Sequence, residues 1–169
     1  MSDTISVIPL DGLSPPVLHE LSRLLIDTVE DGASIGFLPP LAEDEAAAYW
    51  QGVHGPGVLL WVAMEGETIV GTVQLHLALK PNGAHRAELA KLMVHPAHRR
   101  KGIAGLLIDA AEQAAAAHGR TLIVLDTREG DPSNLLYLSR GYIEAGRIPE
   151  FAISAEGGLD TTVLYYKKL

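Results

Sequence analysis

Apolar positions along the chain recur with two different periods. Leu18, Leu21, Leu24, Leu25 and Val29 stand three and four apart, as on one face of a helix. Ser14 can cap that helix, with Pro15 and Pro16 in its first turn, where missing amide donors cost little, and Gly32 is placed to stop it. A weaker helix is expected from Ala42 to Trp50. Ile5 to Leu10, Val58 to Met64 and Thr68 to Leu79 are apolar runs of strand type, the last two joined by the tight connection Glu65-Gly66-Glu67. Lys80-Pro81-Asn82-Gly83 turns the chain into a further strand, Arg86 to Val94, so three consecutive strands form a meander.

From Gly102 to His118 the helical period returns, with Ile103, Leu106, Leu107, Ala110, Ala111 and Ala114 on one face and Gly119 after it. Thr121 to Asp126 reads as a buried strand. Asp131 can cap a short helix through Tyr137 to Arg140, with Pro132 at its first position, and the strands Tyr142 to Ile148 and Thr162 to Lys167 follow. The order strand, loop, helix, strand from Arg86 to Asp126 requires a right-handed crossover, hence one parallel pair within an otherwise antiparallel sheet. The expectation is a mixed α/β fold, a single domain over residues 1–169, with no repeat and no internal boundary.

The formal net charge of -8 repels phosphate backbones, and no basic stripe offsets it, so nucleic acid is not the expected partner. The absence of cysteine removes disulfides, thiolate metal sites and a cysteine nucleophile. Met1 to Leu10 lacks the basic start and apolar run of a secretory signal, and no segment is long enough to span a bilayer. By elimination a soluble, cytoplasmic protein is expected. His95 and His98 have no third ligand at metal-site spacing, so no metal is expected, and hydrolase motifs are missing.

The densest chemistry lies in Val94-His95-Pro96-Ala97-His98-Arg99-Arg100-Lys101-Gly102-Ile103-Ala104-Gly105, between a strand and the first turn of a helix. Three cations precede Gly102, and small residues at 102, 104 and 105 let backbone amides approach a polyanion at a helix N-terminus. It is neither a P-loop nor a dinucleotide fingerprint. A solvated basic loop is the plainer account of the triplet taken alone. Two carboxylates, Glu88 and Asp126, sit in otherwise apolar strands expected to be neighbours, and strand interiors seldom hold carboxylates idly. Glu88 could instead pair with Arg86 or Lys91, and Asp126 could cap the following turn.

Arg99, Gly102 and Ala104 after an apolar strand resemble the Arg/Gln-x-x-Gly-x-Gly/Ala signature of the GNAT superfamily of N-acetyltransferases, and the strand order resembles that family through most of the chain. The resemblance implies the GNAT fold, with a mostly antiparallel twisted sheet, a central parallel pair and about four helices, and acetyl-CoA as co-substrate. Leu92, Met93 and Val94 would lend backbone groups to the pantetheine arm. Amides from Arg99 through Arg100, Lys101, Gly102, Ile103 and Ala104 to Gly105 would bind pyrophosphate. Asn134 would touch the cofactor, and Tyr137, three residues on, would be the general acid; a core tyrosine beside Leu136 and Tyr142 is its alternative. Glu88 and Asp126 would serve the amine, with direct attack and no acyl-enzyme.

Gly32-Ala33-Ser34-Ile35-Gly36-Phe37, Lys80-Pro81-Asn82-Gly83, Arg86-Ala87-Glu88, Lys91-Leu92-Met93-Val94 and Leu125-Asp126-Thr127 look like the corresponding phrases of tabtoxin-resistance acetyltransferases, which implies a small amino-acid-like acceptor, such as a β-lactam toxin or antibiotic. The acceptor pocket would lie around Val29 to Leu38 and Pro149 to Thr162. Acetylation of a protein N-terminus or lysine, and acyl-CoA sensing without catalysis, are the rival readings. The late strands leave an edge for a homodimer.

Overall fold

Strand alternation sorts the apolar residues onto the two faces of one sheet, and the computed structural model, which describes residues 4–169, shows what covers each face. The elements in chain order are β1 (Ile5–Pro9), α1 (Pro15–Glu30), α2 (Glu43–Gln51), β2 (Val58–Glu65), β3 (Thr68–Leu77), β4 (Arg86–Val94), α3 (Ile103–Ala117), β5 (Leu122–Arg128), α4 (Ser133–Ser139), β6 (Ile143–Ile153) and β7 (Leu159–Lys168). The sheet order is β1-β2-β3-β4-β5-β7-β6, with β4 and β5 the one parallel pair, as expected. On β2, Trp61 and Ala63 join the core beneath α3 and α4, while Leu60 and Val62 join a second core beneath α1 and α2. Trp50 is fully buried there, its indole N–H donating to the carbonyl of Leu21 at 2.9 Å and tying α2 to α1.

Element boundaries differ from the expectations in instructive ways. Ser14 occupies the N-cap position of α1 but its side chain makes no capping bond. The carboxylate of Asp131 is taken by Arg128, so it does not cap α4, whose N-cap position is held by Pro132. Leu106 is 43 % exposed; the buried stripe of α3 is instead Ile103, Leu107, Ile108, Ala111 and Ala115, at helical spacing. β6 runs past the expected end at Ile148, through Pro149 to Ile153; the outermost strand absorbs Gly146 and Pro149 in two register shifts against β7.

Two departures from regular pairing create space in the middle of the sheet. Between Thr72 and Gln74 on β3, whose partners are Met93 and Ala90, β4 carries one extra residue, and Lys91 at φ 53° absorbs the resulting bulge. The bulge flips the strand's alternation: Leu89 faces the α3 core, whereas Met93 faces the α1–α2 core. Meanwhile β4 and β5 pair only from Arg86 to Glu88 against Leu122 to Val124 and make no ladder beyond. The strands part where the bulge begins, and a cleft opens between them.

Candidate active site

A cleft of about 650 Å³ occupies this gap, lined by β4 from Glu88 to Val94, β5 from Asp126 to Arg128, the loop Asp31–Gly36, part of α4 and the start of β7. Glu88 is in register with Val124, and Asp126 lies two residues further along β5. Their neighbours Ala87, Leu89, Ile123 and Leu125 all point into the α3 core, so both carboxylates project from the opposite face. Both line the cleft, and both are exposed. Glu88 forms no ion pair with Arg86 or Lys91 and accepts no side-chain hydrogen bond among the described residues. Asp126 caps no turn; its Oδ2 accepts a hydrogen bond from Thr162 Oγ1 of β7 at 3.0 Å.

The loop after β4 reaches the cleft through Arg99 and Ala104. Gly102 is the N-cap of α3 at φ 76°, a left-handed conformation natural to glycine, and no side chain caps the helix. None of the backbone amides from Arg99 to Gly105 has a hydrogen-bond partner among the described residues. Two of the three cations are already spoken for: Arg99 pairs with Asp31 at 2.8 Å, and Lys101 pairs with Glu65 at 3.1 Å, while Arg100, at φ 63°, makes no ion pair among the described residues. His98 also meets Glu65, at 3.0 Å, and His95 donates through Nε2 to Asp27 at 2.8 Å while its Nδ1 accepts from the Ala97 amide. The side chains thus hold the loop against α1 and β2 and leave its donors free. Ile103 is buried in the α3 core, and Gly71 of β3 lets the helix come close: a Cβ there would lie 3.1 Å from both Ile103 and Leu107.

Tyr137 of α4 is 5 % exposed and lines the cleft. Burial, with the negative charge of Asp126 adding to it, raises its pKa well above the usual tyrosine value, so the phenol keeps its proton throughout the physiological range. It also belongs to the α3 core, packed edge-on against Tyr142. Asn134 faces the other way. Its Nδ2 donates to the carbonyls of Arg128 and Asp131, both at 2.9 Å, and its Oδ1 accepts from Tyr165, so it braces α4 against β5 and β7.

Three residues not singled out from the sequence complete the cleft. Arg128 donates to Asp131 at 3.0 Å and to the carbonyl of Gly32 at 3.0 Å, pinning the loop after α1 to β5. Asp160 Oδ2 lies 3.6 Å from Arg128 Nη1 and has no hydrogen-bond donor among the described residues. Thr162 orients Asp126. A second hollow of about 340 Å³ continues past Arg128 between Phe37 to Pro39 and Phe151 to Ala155. Only the topology that brings β7 beside β5 assembles these groups, so spacing along the chain carries no signal for them.

Residues 20–142 match the model of the acetyltransferase (GNAT) family. The chain belongs to this family. It is 34% identical, over 74% of its own length and 76% of the relative's, to an uncharacterized N-acetyltransferase in the hisH-hisA intergenic region of Azospirillum brasilense. It is 37% identical to N-acetyltransferase 8B of Rattus norvegicus over 52% of the chain and 40% of that protein. The fold is shared with a putative acetyltransferase of Salmonella typhimurium solved with its cofactor acetyl-CoA, at TM-score 0.79, 16% identity and coverage of 98% and 94% of the two chains. The family's donor is acetyl-CoA, and the residues present fit it: free amides at an uncapped helix start suit a pyrophosphate, and a gap between parting strands suits an extended arm.

Proposed function

We propose that this GNAT acetyltransferase moves the acetyl group of acetyl-CoA onto the primary amine of a small, amino-acid-like acceptor. The observation that carries the reading is the convergence of Glu88, Asp126 and Tyr137 on the same cleft that Arg99 and Ala104 of the unpartnered loop reach. Acetyl-CoA, when bound, supplies an activated thioester carbonyl. The amides from Arg99 to Gly105 hold its pyrophosphate, and the bulged strand from Leu92 through Met93 to Val94 holds its arm. The acceptor enters from the side of Gly32–Gly36 and Phe151 as an ammonium ion. Glu88 and Asp126 attract that charge, and one of them, directly or through water, takes the proton that frees the nitrogen. Asp126 is oriented by Thr162, whereas Glu88 accepts no side-chain hydrogen bond among the described residues, so Glu88 keeps its lone pairs for the substrate proton and Asp126 serves as the fixed anchor. Tyr137, less acidic than a thiol in its buried setting, donates a hydrogen bond to the leaving sulfur.

The amino-acid-like acceptor, a class that includes β-lactam toxins, is supported by the likeness to tabtoxin-resistance acetyltransferases and by the hollow of only about 340 Å³ that Phe37 and Phe151 line. The test is thiol release from acetyl-CoA across amino acids, β-lactam amino acids, polyamines and peptides. Turnover with one small-amine class is expected. Turnover with peptides alone identifies a protein acetyltransferase, and donor binding without turnover identifies a sensor.

The outermost strand β6 exposes Ile143, Ile148, Phe151 and Ile153, each more than 40 % accessible, so a homodimer through this edge is part of the proposal. Light scattering on the purified chain should give twice the 18.0 kDa monomer mass.

A further inference from the structure

Three cations line the cleft: Lys91, Arg99 and Arg128. Arg99 is paired with Asp31, and Arg128 with Asp131 and Asp160. Lys91 has no carboxylate within ion-pairing distance among the described residues, although Glu88 is on the same strand and Asp31 and Asp126 line the same cleft. Its backbone is the bulge residue of β4, held at φ 53°, a conformation that a non-glycine side chain adopts only at a cost. That conformation removes Lys91 from the regular alternation of the strand. Its Nζ lies 3.2 Å from where a Cβ on Gly36 would stand, so the ammonium rests against the glycine backbone of the acceptor-side loop, and glycine makes the room for it. The donor loop lies elsewhere, at the start of α3.

A half-buried lysine without a counter-ion among the described residues, lining one cleft with two carboxylates that also have none there, is an incomplete set of charges. An acceptor carrying both an ammonium and a carboxylate completes it. We propose that Lys91 binds a carboxylate of the acceptor while Glu88 and Asp126 receive its amine, making Lys91 the residue that selects amino acids over simple amines. This assignment rests on the acetyltransferase reading given above.

The experiment compares L-amino acids with their methyl esters and decarboxylated amines by thiol release, in the wild type and in Lys91→Met and Lys91→Arg. A site built around a charged partner rejects the analogue that lacks it, so the wild type should favour free acids over esters by about tenfold or more in kcat/KM. Lys91→Met should raise KM for the free acid by a similar factor, leave the ester within about twofold, and leave KM for acetyl-CoA unchanged; Lys91→Arg should restore part of the preference. The wild-type acid-to-ester ratio needs no variant and so is independent of folding. Equal rates with acid and ester, or a Lys91→Met effect that falls on acetyl-CoA instead, overturns the assignment of Lys91 alone. No turnover with any amine overturns the acetyltransferase reading and this assignment together.

Discussion

The two ends of the cleft offer different parts of the chain to a ligand. At the start of α3 the donors are backbone amides, and the nearby side chains, Arg99, Lys101, His95 and His98, are spent on holding the loop to α1 and β2. At the opposite end the groups on offer are side chains, Glu88, Asp126, Tyr137 and Lys91, carried by three different elements. A backbone cradle needs only a glycine and a helix start, so it suits a ligand common to a whole family. A side-chain constellation can be changed one residue at a time, so it suits the ligand that differs between members.

The sharpest break in that comparison is to disable the acceptor end and leave the donor end intact. Glu88→Gln combined with Asp126→Asn should lower kcat by about 10²–10⁴-fold, the usual worth of general base catalysis. Binding of acetyl-CoA, followed by calorimetry, should stay within about twofold. Loss of donor binding would mean that the two ends are not separable. Conversely, Gly102→Val places a β-branched residue at φ 76°. The left-handed conformation costs roughly 1–2 kcal/mol, so KM for acetyl-CoA should rise by about five- to thirtyfold, with the acceptor KM little changed.

Tyr137→Phe sits between the ends and should cost kcat about tenfold, since a hydrogen bond to sulfur helps a leaving group that departs readily. Its alkaline behaviour is a second readout. The folded pKa of Tyr137 is raised above the unfolded value of 10.0, so above pH 10 the unfolded chain releases a proton that the folded chain retains. The tyrosine's contribution to stability is complete below pH 10 and falls as pH rises beyond it. Urea midpoints from pH 9 to pH 11 should therefore fall less steeply in Tyr137→Phe than in the wild type. Parallel profiles would show that the phenol ionises as freely in the fold as outside it.

This division also explains what the sequence made legible. The parallel pair, the helix after Gly102 and the strand Arg86 to Val94 follow from periodicity and glycine placement, because each is a local pattern tied to a repeating geometry. Glu88 and Asp126 stood out as carboxylates among apolar strand residues, and the parallel register places them on one face. Lys91, Arg128, Asp160 and Thr162 did not stand out. A lysine within a strand gives no sign that a bulge will turn it, and Thr162 acts only because β7 lies beside β5. Asn134 shows the opposite limit: the family pattern implies a cofactor contact, while the fold engages both of its amide atoms within the protein.

The smallest expected effect is the most pointed test of a backbone cradle. Of the three cations that a charge argument would place on the pyrophosphate, Arg99 and Lys101 each already hold a carboxylate, and both side chains are close to half exposed. Exposed pairs of this kind contribute about 0–1 kcal/mol. Lys101→Gln leaves Glu65 still held by His98, and Arg99→Gln releases Asp31 into solvent. Each variant should keep KM for acetyl-CoA within about threefold and lower Tm by at most about 4 °C. The modest rise in KM should shrink with added salt, since long-range attraction is all that has been removed. A tenfold rise that persists in salt would instead mean that the guanidinium or ammonium leaves its carboxylate and grips the phosphates directly. The donor end would then be built from side chains too, and the contrast between the two ends would fail.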